Sequence, residues 1–77
     1  MINNQHLQCI KSLYKSTYKK NAFTKNKKYQ IEFEEICSGK RFFFIRDNCD
    51  NLISFIESQD SNYYLFNDYF KVNLYGN

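Results

Sequence analysis

Apolar and polar positions change period several times along this chain. Over residues 3–20, Leu7, Ile10, Leu13, Tyr14, Thr17 and Tyr18 recur at three- and four-residue steps, with Ile2, His6 and Cys9 beside them. Lys11, Lys15 and Lys19 recur every fourth residue among Gln5, Gln8, Ser12 and Ser16. At about 3.6 residues per turn the two sets lie on opposite sides of a cylinder, so the spacing predicts an amphipathic helix. Asn3 or Asn4 caps its start by accepting a free backbone N–H. Lys19 and Lys20 suit the negative end of the helix dipole, and Asn21 can take the left-handed closing conformation. Phe23 tucks under the basic loop that follows.

The period then drops to two. Tyr29, Ile31 and Phe33 alternate with Gln30, Glu32 and Glu34, which predicts a half-buried strand. "CSGK" supplies a turn in which Gly39 takes positive φ. "RFFFIR" is a continuous apolar run, the mark of a more central strand. The register is open: a three-residue loop would pair Phe33 with Ile45 and Glu32 with Arg46, which segregates the two faces better than a two-residue loop does. "DNCDNLISFIESQ" reads as a second helix, capped by Asp47 or Asn48, with Cys49, Leu52, Ile53 and Ile56 as its buried stripe. Asn67-Asp68 then turns a closing hairpin that pairs Leu65 with Phe70 and Tyr63 with Val72.

The expected order is α-β-β-α-β-β, one domain over residues 1–77. It predicts an α+β two-layer sandwich, a four-stranded antiparallel or mixed sheet with both helices on one face. That order is the ferredoxin-like order with its first strand moved to the end. The second sheet face would be open and would carry Tyr64, Phe66, Tyr69, Lys71 and Tyr75, with either Phe42 and Phe44 or Phe43 and Ile45. "FKVNL" and "KRFFFI" resemble the two aromatic submotifs of RRM domains, although the glycines of the second are missing. The resemblance implies bases stacked on an open sheet.

Composition sharpens this picture at three points. A chain of 77 residues cannot hide all 8 Phe and 7 Tyr, so an exposed aromatic patch is expected. Charge is split: residues 1–30 hold Lys11, Lys15, Lys19, Lys20, Lys25, Lys27 and Lys28 and no acid, whereas residues 31–77 hold four bases and eight acids. Such asymmetry points the basic end at nucleic acid or an acidic partner, or leaves it a solvated face. The three cysteines, Cys9, Cys37 and Cys49, fit neither a disulfide framework nor a zinc pattern, which suggests a reducing cytoplasm. No secretory leader or membrane span is read.

Catalytic chemistry is poorly supplied. His6 is the single histidine, and Cys49 lies where a helix dipole would activate it but on the apolar stripe. The expectation is a non-enzymatic binding protein without metal or cofactor. The AT-rich composition suggests a phage or mobile element, and small size then suggests a stoichiometric inhibitor of a host protein or ribonucleoprotein, of the anti-CRISPR kind, in a bacterial cytoplasm. Tyr64, Phe66, Tyr69, Lys71 and Tyr75 would contact the partner, with the lysines at the rim. The alternatives are a small RNA- or DNA-binding protein and a homodimer.

Overall fold

The computed structural model describes residues 5–74, and its regular structure is mostly strand. In chain order they are β1 (Gln5–Cys9), β2 (Leu13–Lys15), β3 (Lys20–Phe23), β4 (Lys28–Tyr29), β5 (Ile31–Cys37), β6 (Lys40–Arg46), β7 (Leu52–Ile56) and β8 (Tyr64–Leu65). A single helical turn, α1 (Phe66–Tyr69), then leads into β9 (Phe70–Leu74). The expected α+β sandwich, with or without a permuted ferredoxin-like order, is therefore corrected to an all-β arrangement.

Three sheets form. In the first, β1 lies between β4 and β9 and is antiparallel to both. In the second, β2 and β3 make a hairpin with a bulge between Leu13 and Tyr14. In the third, β5, β6 and β7 form an antiparallel meander, and β8 joins the far edge parallel to β7. Only Gln30 separates β4 from β5, so one stretch of chain leaves the first sheet and enters the third at a corner. A second irregularity, between Ile31 and Phe33, adds twist beside it. α1 makes the return crossing, from β8 in the third sheet to β9 in the first.

The core fills the angle between the sheets. Phe23 sits at its centre with its ring edge-on to Tyr29 at 5.0 Å, Phe55 at 5.4 Å and Phe70 at 5.3 Å. Leu7, Cys9, Ile45 and Ala22 pack around it, all buried.

The first expected helix, 3–20, is β1 followed by the β2 arm of the hairpin. Leu7 and Cys9 are buried at a spacing of two, and Leu13 is the next buried residue. A helix there would have stacked Lys11, Lys15 and Lys19 at i, i+4, where like charges destabilise. The second expected helix is a turn followed by β7, whose β-branched and aromatic "LISFI" pairs with β6 instead. The β5–β6 hairpin is present, but it turns on two residues, Ser38 and Gly39, both at positive φ. That choice pairs Phe33 with Phe44 and not with Ile45. The turn expected at Asn67-Asp68 lies inside α1.

Candidate nucleic-acid interface

The β2–β3 hairpin is anchored at one edge and bare at the other. Leu13, Ala22 and Phe23 enter the core. The tip is closed by Tyr18 and Lys19, whose amides both donate to the Lys15 carbonyl, at 3.0 and 2.9 Å, with Lys19 at φ +58°. Lys15 and Lys20 stand directly opposite each other across the strands. The Lys15 ammonium lies 5.6 Å from the centre of the Tyr18 ring. Tyr14, one residue earlier, is 61% exposed.

Two loops at the base of the hairpin extend the basic edge. The Lys25 amide donates to Ser12 Oγ at 2.8 Å, and the Asn26 amide to the Cys9 carbonyl at 2.7 Å, so loops 10–12 and 24–27 touch. Lys11 reaches over the Tyr69 ring at 5.2 Å, and Tyr69 meets Tyr64 edge-on at 5.7 Å. Lys27 Nζ donates to Asn48 Oδ1 at 2.8 Å.

Asp47 bolts the hairpin to the β6–β7 turn. It is only 6% exposed. Its Oδ1 accepts from the Cys49 and Asn51 amides at 2.8 and 2.9 Å, and its Oδ2 accepts from the Tyr18 hydroxyl at 2.9 Å. Asn48 extends the junction, donating to the Asn21 carbonyl and to Thr24 Oγ1 while accepting from Tyr29. The hydrogen bond to Asp47, then desolvation, push the Tyr18 hydroxyl above its ordinary range. Burial pushes Tyr29 up as well. It also raises the Cys9 thiol, which makes that sulfur a poor nucleophile at neutral pH.

Charge segregation persists in three dimensions. The ion pairs lie on the four-stranded sheet and its turns: Lys40 with Asp60 at 2.7 Å, Arg41 with Glu34 at 2.6 Å and Glu57 at 3.6 Å, and Arg46 with Asp50 at 3.6 Å. Lys11, Lys15, Lys19, Lys20, Lys25 and Lys27 have no ion pair among the described residues. Lys28 is exposed on β4 opposite Gln8. The lysines expected on one helix stripe are thus redistributed over a hairpin and two loops.

The expected aromatic partner face is only partly assembled. Tyr64 and Tyr69 do meet, but both are half-buried against Phe55. Phe66 is a core residue, stacked near Phe43 and Phe70. Lys71 is exposed on β9, and Tyr75 lies outside the described residues. The open aromatic face is instead the outer side of the four-stranded sheet. There Phe33, 44% exposed, stacks on Phe44 at 4.6 Å, and Phe42 meets Tyr63 at 4.9 Å. Tyr14 was hidden from the sequence reading because helical spacing assigned it to the apolar side. Its single local signal is its place in a lysine-flanked, β-favouring "LYKSTYKK".

Among the described residues there is no group of histidine, cysteine and acidic side chains that could hold a metal ion, and no helix long and apolar enough to cross a membrane. No protein-family model, curated protein or solved structure matches the chain. The expectation of a phage-encoded, anti-CRISPR-like inhibitor gains no support from these comparisons, and the geometry of the basic hairpin does not call for it.

Proposed function

We propose that this is a non-catalytic nucleic-acid-binding domain that holds phosphate backbones on the β2–β3 hairpin and its two basal loops. One observation carries the reading. Six lysines of residues 11–27, on the β2–β3 hairpin and its two basal loops, have no ion pair among the described residues, while Lys40, Arg41 and Arg46 are each paired with an acid. Lysines without an acid partner bind polyanions by releasing condensed counterions. With two arginines in the chain, each paired with an acid, bidentate reading of base edges is poorly supplied, so binding should be indifferent to sequence. Free thiols at Cys9, Cys37 and Cys49 fit a reducing compartment where nucleic acid is met.

Fluorescence anisotropy of labelled RNA and duplex DNA tests the proposal. If all six lysines engage, affinity should fall about 1,000-fold between about 50 and 200 mM salt. Lys11→Glu combined with Lys25→Glu should weaken every nucleic acid alike. An absence of binding at low salt, or a double variant that binds like the parent, would overturn the reading.

The Phe33–Phe44 stack favours a second reading, a protein partner or second copy on the outer sheet face. Phe33→Asp should then abolish any rise of mass with concentration in sedimentation velocity. A parent protein that stays monomeric throughout would remove homodimerisation through this face.

A further inference from the structure

Two features of the hairpin tip are costly or idle in the isolated domain. Lys15 and Lys20 are direct cross-strand partners, an arrangement in which like charges weaken a strand pair. Lys19 adds a third ammonium in the turn between them. The Tyr18 ring under Lys15 offsets part of this repulsion, but no acid among the described residues pairs with any of the three. Tyr14 is the most exposed tyrosine of residues 5–74 and has no ring partner there.

Alternation along β2 puts Tyr14 and Lys15 on opposite faces of the ribbon, and Lys20 shares the Lys15 face. Two strands about 4.8 Å apart make a narrow ribbon, held to the β6–β7 turn through Tyr18, Asn21 and Ala22, and a flexible chain can bend over its edge. A stiff duplex lying against one face reaches the lysines or the tyrosine, but not both.

We infer that the tip of the β2–β3 hairpin is a single-strand site, in which a phosphate relieves the Lys15–Lys20 repulsion and a neighbouring base stacks on Tyr14. The inference rests on the nucleic-acid reading above and narrows it to single strands and to these residues. The phosphate supplies the missing anion, and stacking is indifferent to base identity because every base has a π-face.

The test compares labelled oligouridine and labelled duplex DNA in anisotropy titrations against the full chain. Oligouridine should bind more tightly. Tyr14→Ala should lose about 5- to 100-fold on oligouridine, the worth of one stacked base, and leave the duplex unchanged. Tyr14→Phe should retain binding. Lys15→Gln with Lys20→Gln should flatten the oligouridine salt slope by about 0.7, one phosphate's worth, while the Tm of the free domain stays level or rises. If Tyr14→Ala binds oligouridine like the parent, or the lysine pair leaves the slope unchanged, the single-strand site is overturned. Should Lys11→Glu with Lys25→Glu still weaken both nucleic acids in that case, the broader reading survives. Failure of every probe to bind overturns both and leaves an acidic protein as the partner.

Discussion

Phe23→Ala should leave the chain only marginally folded at room temperature. Phe23 is fully buried, and it brings the hairpin into contact with residues of both larger sheets. Its ring meets Tyr29 of β4 and Phe70 of β9 on one side and Phe55 of β7 on the other, all within 5.4 Å. Removing a buried phenylalanine costs about 3–5 kcal/mol in lost transfer energy and residual cavity. A domain of this size sits near the lower end of the usual range of about 5–15 kcal/mol, so the loss takes most of what is available. By calorimetry the Tm should fall by about 12 °C or more. Phe33→Ala is the control: its ring is 44% exposed on the outer face, so it should cost under about 1 kcal/mol. Equal losses at the two sites would mean that the core is not centred on Phe23.

The contrast between these two phenylalanines shows what the sequence could and could not convey. The β5–β6 hairpin was legible because its signals are local: alternation through Phe33, a glycine able to take φ +76°, and an apolar run over Phe42–Ile45. Even there the register slipped by one loop residue, since Ser38 joins Gly39 at positive φ, and Phe33 moved from a partner of Ile45 to a partner of Phe44. The two helices failed for a different reason. Leu7, Ile10, Leu13 and Tyr14 fit a helical stripe, but they also fit two short strands with a loop between, and spacing alone does not separate these. What decides is pairing with distant chain: β1 takes β9 as its neighbour, with His6 opposite Asn73. Two local cues did favour strands: the like charges that a helix would have stacked at i, i+4, and a chain with a single alanine.

The candidate site was legible as charge and illegible as shape. That residues 1–30 carry lysine without acid is a property of the sequence and survives folding intact. Which lysines stand together depends on the hairpin. Lys15 and Lys20 oppose each other only because the chain reverses at Ser16–Lys19. The C-terminal aromatics misled for the converse reason. Phe66 and Phe70 lie on either side of the crossing from one sheet to the other, and that crossing buries both rings.

Asp47→Ala should be the most damaging polar substitution, and it should act on the basic hairpin from a distance. The carboxylate closes the β6–β7 turn through the Cys49 and Asn51 amides and grips the hairpin through the Tyr18 hydroxyl. Three donors lose a charged acceptor at a site that is 6% exposed, which costs about 2–4 kcal/mol. The alkaline limb of the stability profile should change too. Tyr18 has its folded-state pKa raised above the ordinary 10.0, first by the bond to Asp47. A raised pKa means that the folded state holds the proton more tightly. The resulting stabilisation is fully present below about pH 10 and is lost as pH rises through the folded value. In Asp47→Ala that cause is gone, so the Tyr18 step, one of two raised tyrosine ionisations, should move toward the ordinary range while the Tyr29 step stays raised by burial. Tyr18→Phe should remove the Tyr18 step while keeping the turn closed, because Cys49 and Asn51 still have their acceptor. A thermal melt of Asp47→Ala matching the parent, with the Tyr18 step unmoved, would show that the core side chains and Asn48 suffice to hold the hairpin, and that Asp47 does not set the position of the lysines.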